Sequence, residues 1–209
     1  MSTASSDGKE KKFKPYVKGE KTIGSTKWLA LKELQYLDQT GTERQWNMAQ
    51  RTTKSDESGA DAVAIFATLK GGSLVTPSTL LVRQFRPPVN AYTIELPAGL
   101  IDKNESPADA ALRELKEETG YAGVVVGISE PLNMSPGLTD EKVCIVSVVV
   151  DLDKEENQNP STRLEEGEFV ETLIVPLTGL VSRLSEFSHR GDSVNYGVQS
   201  IALGISIKL

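Results

Sequence analysis

The sequence predicts an α/β/α sandwich on a mixed sheet, with a β-hairpin appended at its N-terminal end. Three observations predict it. Short β-rich runs alternate with helix-period runs along the later part of the 209-residue chain, which layers helices against a sheet. One run, 107–119, carries both helix start and helix stop signals. Two strand-like runs, 27–37 and 42–52, stand ahead of these and flank the turn Asp38-Gln39-Thr40-Gly41. The organisation expected is a disordered polar tail over 1–14, a β-rich region over 15–58 and a main domain over 59–209.

Taken in order, 1–14 is rich in Ser, Lys and Glu and too polar to bury a core. The hairpin follows, then a polar connector over 54–59. Residues 61–69 read as a buried strand, 71–78 as a loop, and 79–85 as a strand stopped by Pro87-Pro88. Residues 92–95 are short and extended, and 96–99 read as a loop. After the helix come a strand at 124–128 and a loop at 133–140 containing Pro136 and Gly137. A strongly β-branched strand spans 142–152. The polar loop 153–167 is long enough to suggest a functional flap. A strand at 168–175, an amphipathic helix at 177–187 and a second helix at 193–208 complete the chain. No internal repeat is present.

Composition narrows the function. Hydrophobic residues make up 38%, enough for a sizeable core at this length. The net charge is −6, and no basic stripe exists, which argues against a nucleic-acid polymer as partner. The single cysteine, Cys144, lies in an apolar run, so no disulfide can close within one chain. The single histidine, His189, lies in a polar segment, which disfavours Ser-His or Cys-His nucleophilic chemistry. No apolar run reaches the roughly 18 residues that span a bilayer, and the first residues lack a secretory core. A reducing, cytoplasmic location is expected, with nuclear or mitochondrial pools left open. Ile207-Lys208-Leu209 is a poor match to a peroxisomal ending.

The chemistry concentrates in residues 99–121. They follow the pattern G-x5-E-x7-R-E-U-x-E-E-x-G-U, with Gly99, Glu105, Arg113, Glu114, Glu117, Glu118 and Gly120 at the fixed positions. Tyr121 stands where a bulky aliphatic is usual. Ser106 can cap the first free amides, Pro107 suits the first helical position, and Gly120 is a left-handed stop. Ala108, Ala111, Leu112 and Leu115 form an apolar stripe. Glu114, Glu117 and Glu118, at i, i+3 and i+4, share another face. Carboxylates packed that closely repel one another, and a hard divalent cation such as Mg²⁺, which takes oxygen ligands, removes the conflict. Arg113 points to a third side, towards Glu105. The alternative for the Glu face is a solvated acidic surface.

This box resembles that of the Nudix hydrolases, which cut diphosphates linked to another moiety. The resemblance implies the Nudix fold, Mg²⁺ as cofactor (Mn²⁺ substituting), metal ligation by Ala98 (through its carbonyl), Glu114, Glu117 and Glu118, and catalytic roles for Glu117 and Arg113. Between 27 and 175 the chain is similar to the eukaryotic ADP-ribose pyrophosphatases. Lys27-Trp28, Gln45-Trp46, Gln50-Arg51-Thr52-Thr53, Gln84 to Pro88, Glu95 to Asp102 and Gly167 to Glu171 carry that similarity. It implies hydrolysis of ADP-ribose, or a related ADP-sugar, to AMP and a sugar phosphate by a homodimer. Substrate contacts are then expected at Trp28, Trp46, Asn47, Arg51, Arg86, Gly99, Leu100 and Ser135.

Trp28 and Trp46 are the only tryptophans, and their flat faces suit an adenine; ordinary hairpin packing is the other reading of both. In the family the two rings come from opposite subunits, which makes the hairpin a dimerisation element. Arg51 and Arg86 are candidate phosphate clamps or surface ion pairs. Asn47 and Ser135 stand where some relatives carry Glu and Asp. Glu168 is the first candidate for the general base, with Glu165, Glu166 and Glu141 as alternatives, and a solvated acidic loop as the bland reading. Glu95 is an outer-shell metal ligand or a charged strand end. Rival readings are another nucleoside diphosphate or oxidised nucleotide as substrate, a non-catalytic ADP-ribose-binding module, and a structural protein whose acidic helix binds a partner.

Overall fold

The computed structural model describes residues 13–53 and 59–207, and they fall into two compact units. The first takes residues up to 54 together with 133–141; the second holds 55–132 and 142–209. Residues 1–12 of the expected polar tail, most of the connector and the last two residues lie outside the described residues.

The first unit is an antiparallel sheet of β1 (Tyr16–Ser25), β2 (Leu29–Leu37) and β3 (Glu43–Arg51), in that order. The expected hairpin is the β2–β3 pair, in unbroken register from Leu29 opposite Arg51 to Leu37 opposite Glu43. Asp38 closes its turn by accepting the amides of Thr40 and Thr42. β1 is an addition to what the sequence suggested. All ten of its residues are exposed, so it shows no apolar alternation; paired backbone and two register shifts hold it to β2. Segment 133–141 joins β3, with Ala49 N–H on the Leu138 carbonyl (2.9 Å) and Gln50 Nε2 on Asp140 Oδ2 (2.8 Å).

The second unit contains β4 (Ala62–Lys70), β5 (Ser78–Arg86), β6 (Ala91–Glu95), β7 (Ala98–Leu100), α1 (Pro107–Thr119) and β8 (Val124–Ile128). The two-residue β9 (Leu132–Asn133) stands at the boundary between units. β10 (Lys142–Asp151), β11 (Glu171–Pro176), α2 (Leu180–His189), β12 (Ser193–Val194) and α3 (Tyr196–Ser206) follow. The central order is β12-β6-β5-β4-β10-β8, with β11 on β5 and β7 on β4. β10 runs parallel to β4 and the β5 pairings are antiparallel, so the sheet is mixed.

Strand period sets the layers. Val63, Ile65, Ala67 and Leu69 with Cys144, Val146, Val148 and Val150 bury one face against Ala110, Ala111 and Leu115 of α1. On the other face Leu81, Ile94 and Leu96 meet Leu184 and Phe187 of α2 and Val198 and Ala202 of α3. This is the expected α/β/α sandwich.

Several boundaries differ from expectation. Residues 98–100 form β7 instead of loop, because they pair with Ala62–Ala64. The strand expected from 168 begins at Glu171. The helix expected from 177 begins at Leu180, with Gly179 as its left-handed N-cap. The last helix begins at Tyr196, since Ser193 and Val194 pair with β6 and Asn195 Oδ1 caps the Gly197 amide. Among the described residues no helix is long and apolar enough to cross a membrane.

Candidate active site

The helix signals read from the sequence operate as expected. The Ser106 hydroxyl accepts the Asp109 amide, Pro107 is the first helical residue, and Gly120 closes α1 with φ 75. The buried stripe runs through Ala111, Leu115 and Glu118, at i, i+4 and i+7. This corrects the expectation that Glu118 shares a face with Glu114 and Glu117 apart from the apolar stripe: at i+7 from Ala111 it ends the core-facing stripe, only 2% exposed, while Glu114 and Glu117 remain partly accessible. Its Oε2 accepts the Ala98 amide of β7 (3.0 Å), and Thr172 of β11 donates to its backbone carbonyl (3.2 Å). Burial pushes the Glu118 carboxyl up to about 8, against the Ala98 bond; the charges of Glu114 and Glu168 push the same way and Arg86 opposes them. Burial also raises Glu114, against its pairing with Arg113.

Arg113 is the hub of the exposed side. Nε and Nη2 grip the two oxygens of Glu105 (both 2.9 Å), and Nη2 reaches the Leu100 carbonyl (3.0 Å). This is the expected loop-to-helix lock, and it lowers Glu105. One part of the expectation is corrected. Arg113 does not keep to a third side: Nη1 also donates to Glu114 Oε1 (2.7 Å) and Glu117 Oε2 (3.2 Å). An i, i+4 pair meets on one helix surface, and the guanidinium fork spans the gap. A Cβ at Gly99 would lie 1.9 Å from Glu114 Oε1, so any side chain there would push the Glu114 carboxylate from its place.

Facing α1 on the sheet, Val82, Thr93 and Glu95 share one side by register. Glu95 takes Arg86 in a two-pronged grip, Nε on Oε1 (3.0 Å) and Nη2 on Oε2 (2.8 Å), and also accepts the Thr93 hydroxyl. Glu168 lies in an exposed turn where its Oε2 accepts the Glu165 amide (3.1 Å). The flap is tied to α1 where the Arg163 amide meets the Glu117 carbonyl (2.7 Å). Glu165 and Glu166 are exposed in the same turn. Thr93 and Thr172 were not singled out from sequence, for a threonine in a strand carries no local signal of its partner.

The remaining candidates belong to the first unit. Trp28 and Trp46 share one face of the β2–β3 hairpin and are 58% and 48% exposed. Trp28 lies beside the Leu29–Arg51 pair whereas Trp46 is opposite Leu34. The backbone positions of the two tryptophans in one copy are therefore about 20 Å apart along the strands. Trp46 Nε1 donates to the Gly137 carbonyl (3.1 Å), and Lys27 Nζ sits 4.2 Å from the Trp28 ring centre. Asn47 and Arg51 fall on the opposite face by alternation. Arg51 Nε is paired with Glu141 Oε1. Ser135 lends its carbonyl to the Leu138 and Thr139 amides.

The donor chemistry of the α1 rim fits a hard divalent cation. Glu114 and Glu118 are carboxylates whose ionisation burial opposes; Glu117 and Glu168 add negative field at Glu114, and Glu114 and Glu168 add it at Glu118. Among the described residues no three acidic, His or Cys side chains form a ready-made metal cage, and Arg113 Nη1 bridges Glu114 and Glu117. A cavity of about 310 Å³ lies elsewhere, lined by Lys70, Val124, Val126, Val149, Asp151 and Lys154 among others, and it includes no box residue.

Residues 60–192, well over half of the chain, match the NUDIX domain. The chain belongs to the Nudix family. This Nudix chain is 42% identical over 185 residues to a protein of Saccharomyces cerevisiae named ADP-ribose pyrophosphatase, covering 88% of this chain and 80% of the relative. It is 40% identical over 207 residues to the ADP-sugar pyrophosphatase of Mus musculus, covering 99% and 91%. A Schizosaccharomyces pombe relative named as an uncharacterized Nudix hydrolase is 42% identical over 180 residues, 86% of each chain. The Nudix fold is also that of a solved ADP compounds hydrolase, at TM-score 0.65 and 19% identity, covering 94% of both chains. The chain is thus a Nudix hydrolase.

Proposed function

We propose that this Nudix hydrolase cleaves ADP-ribose to AMP and ribose 5-phosphate, with Mg²⁺, or Mn²⁺ in its place, held by Glu114, Glu117, Glu118 and the Ala98 carbonyl. The observation that carries the proposal is Glu118, a carboxylate buried at the end of a core stripe beside Glu114 and within the field of Glu168. Such a cluster is stabilised by a cation and by little else. The names of the yeast and mouse relatives support the substrate. Another ADP-sugar would meet the same chemistry, as the mouse name suggests.

Bound there, the cation would screen the diphosphate and make an attacking water more acidic. The chain's own residues supply the rest. Glu168, on the turn that its own carboxylate braces, takes the proton from the water as its oxygen attacks phosphorus. The bridging P–O bond breaks and the second phosphate leaves. Arg113 fixes Glu105, the 100–102 loop and the helix in one register. Arg86 offers a guanidinium fork to diphosphate oxygens. Gly99 and Leu100 offer backbone instead of bulk beside Glu114.

Adenine stacks between Trp28 of one copy and Trp46 of another; Asn47, Arg51 and Ser135 are read as polar contacts to the substrate beyond the stacked face, since the Asn47 and Arg51 side chains stand on the other face of β3. The backbone separation of the two tryptophans within one copy supports stacking across copies. Two stacked contacts in series span at most about 14 Å, less than the roughly 20 Å along one hairpin. A homodimer is therefore part of the reading, as is a cytoplasmic location. Phosphorus NMR of ADP-ribose incubated with protein and Mg²⁺ tests it: AMP and ribose 5-phosphate should grow in equal amounts, and E168Q should slow both. An unchanged spectrum, or equal rates with E168Q, counts against the substrate or the base respectively.

A further inference from the structure

Arg86 carries a positive charge near the acidic cluster: its partner Glu95 lies three residues before Ala98, whose amide donates to Glu118, and opposite Val82, which pairs with Thr172, the donor to the Glu118 carbonyl. Its guanidinium is held above its ordinary value first by the Glu95 bonds, against burial, and then by the negative fields of Glu95, Glu118 and Glu168. Left alone, a long arginine side chain beside Glu118 and Glu168 would close onto them, because a fork pairs with a carboxylate more readily than with water. It would then occupy oxygens that a divalent cation requires. The structure shows what prevents this. Both oxygens of Glu95 are engaged, and the engaged guanidinium edge is Nε and Nη2. Among the described residues Nη1 makes no hydrogen bond. Glu95 is itself only 13% exposed in its side chain, and the Thr93 hydroxyl pins its Oε1. The same hydroxyl lies 3.1 Å from the Gln84 carbonyl, but the carboxylate is the stronger acceptor for its single proton.

We propose that Glu95, braced by Thr93, is a positioning residue that restrains Arg86 from the acidic cluster and leaves its Nη1 edge to a diphosphate oxygen. The inference rests on the proposed cation site and deepens it. In this reading the Glu95 oxygens are engaged by Arg86 and Thr93, and its part is to hold the guanidinium, not to ligate the cation. Removing the restraint harms cation binding, and removing Arg86 as well repairs it.

The test is Mn²⁺ binding by electron paramagnetic resonance on the full-length chain, with the KM for ADP-ribose alongside. E95Q should weaken Mn²⁺ about tenfold, the size typical when a group behind a ligand is lost. R86Q alone should bind Mn²⁺ no worse than wild type. E95Q/R86Q should return to within about twofold of wild type while its KM stays raised by about tenfold. A purely structural Glu95 would not give that split. Unchanged Mn²⁺ affinity in E95Q overturns the proposal, and so does a double variant as weak as E95Q, which would make Glu95 an outer ligand. If E95Q melts too early to measure, T93V against T93V/R86Q carries the same comparison, with about a threefold loss expected and regained. A wild type that binds Mn²⁺ but spares ADP-ribose refutes the substrate assignment, and the same variant pattern still decides the role of Glu95.

Discussion

Glu118 concentrates the physical tension of the molecule. Its place at i+7 from Ala111 puts an ionisable group where the helix buries its apolar side, and burial drives its carboxyl up to about 8. The consequence for stability has a definite sign. In the metal-free protein the folded carboxyl titrates above the unfolded value of 4.5. Between those values the folded state holds a proton that the unfolded state has released, so stability falls as pH rises through the window. The loss is on the order of a few kcal/mol. E118Q should therefore flatten the pH dependence of urea unfolding between about pH 5 and 8, and abolish most hydrolysis while the fold is kept. Added Mg²⁺ should restore stability to wild type at pH 8 and leave E118Q unmoved. A wild type whose metal-free stability is level across that window would contradict the burial argument.

At the scale of elements, α1 and β7 are bound to each other and to the flap. Gly120 shows how tight the join is. Its φ is 75, and a Cβ there would lie 2.3 Å from the Ser161 amide nitrogen, which is backbone and cannot swing aside. G120A should destabilise the protein by about 2–3 kcal/mol in denaturant titration. It should also lower kcat, because the displaced 160–163 segment leads into the turn bearing Glu168. A change below about 0.5 kcal/mol would show that this junction yields easily. Legibility followed the same physics. α1 was readable from 107 to 119 because Ser106, Pro107 and Gly120 are local signals. β8 and β10 were readable because β-branched residues crowd them. β1 was not, since ten exposed residues leave no pattern, and β7 was not, since three residues pair only through tertiary structure. Within the site, the Arg113–Glu105 lock could be read from spacing. The Thr93–Glu95–Arg86 chain could not, because it depends on strand register and side-chain reach, which no local motif encodes.

In the proposed function the whole molecule works in pairs. One copy keeps Trp28 and Trp46 apart on its hairpin, and Val17, Ile23, Leu29 and Leu31 of the same sheet are exposed. Exposed apolar side chains of this kind suit burial against a second copy. W28A and W46A should each raise the KM for ADP-ribose more than they lower kcat. Mixing the two variants under subunit exchange should regain roughly a quarter of wild-type activity, because half the dimers are mixed and one of their two sites is whole. No recovery, or a species of 22.7 kDa in light scattering, would mean that the rings do not cooperate across copies. The central claim is that a cation-loaded acidic helix face cuts the diphosphate of an ADP-sugar. The most direct test is a kcat/KM comparison with Mg²⁺ over ADP-ribose, ADP-glucose, NADH, diadenosine polyphosphates and oxidised nucleotides. ADP-ribose should rank first and yield AMP; a tenfold preference for a compound that is not an ADP-sugar, or no cleavage of any of them with Mg²⁺ or Mn²⁺, would contradict the account.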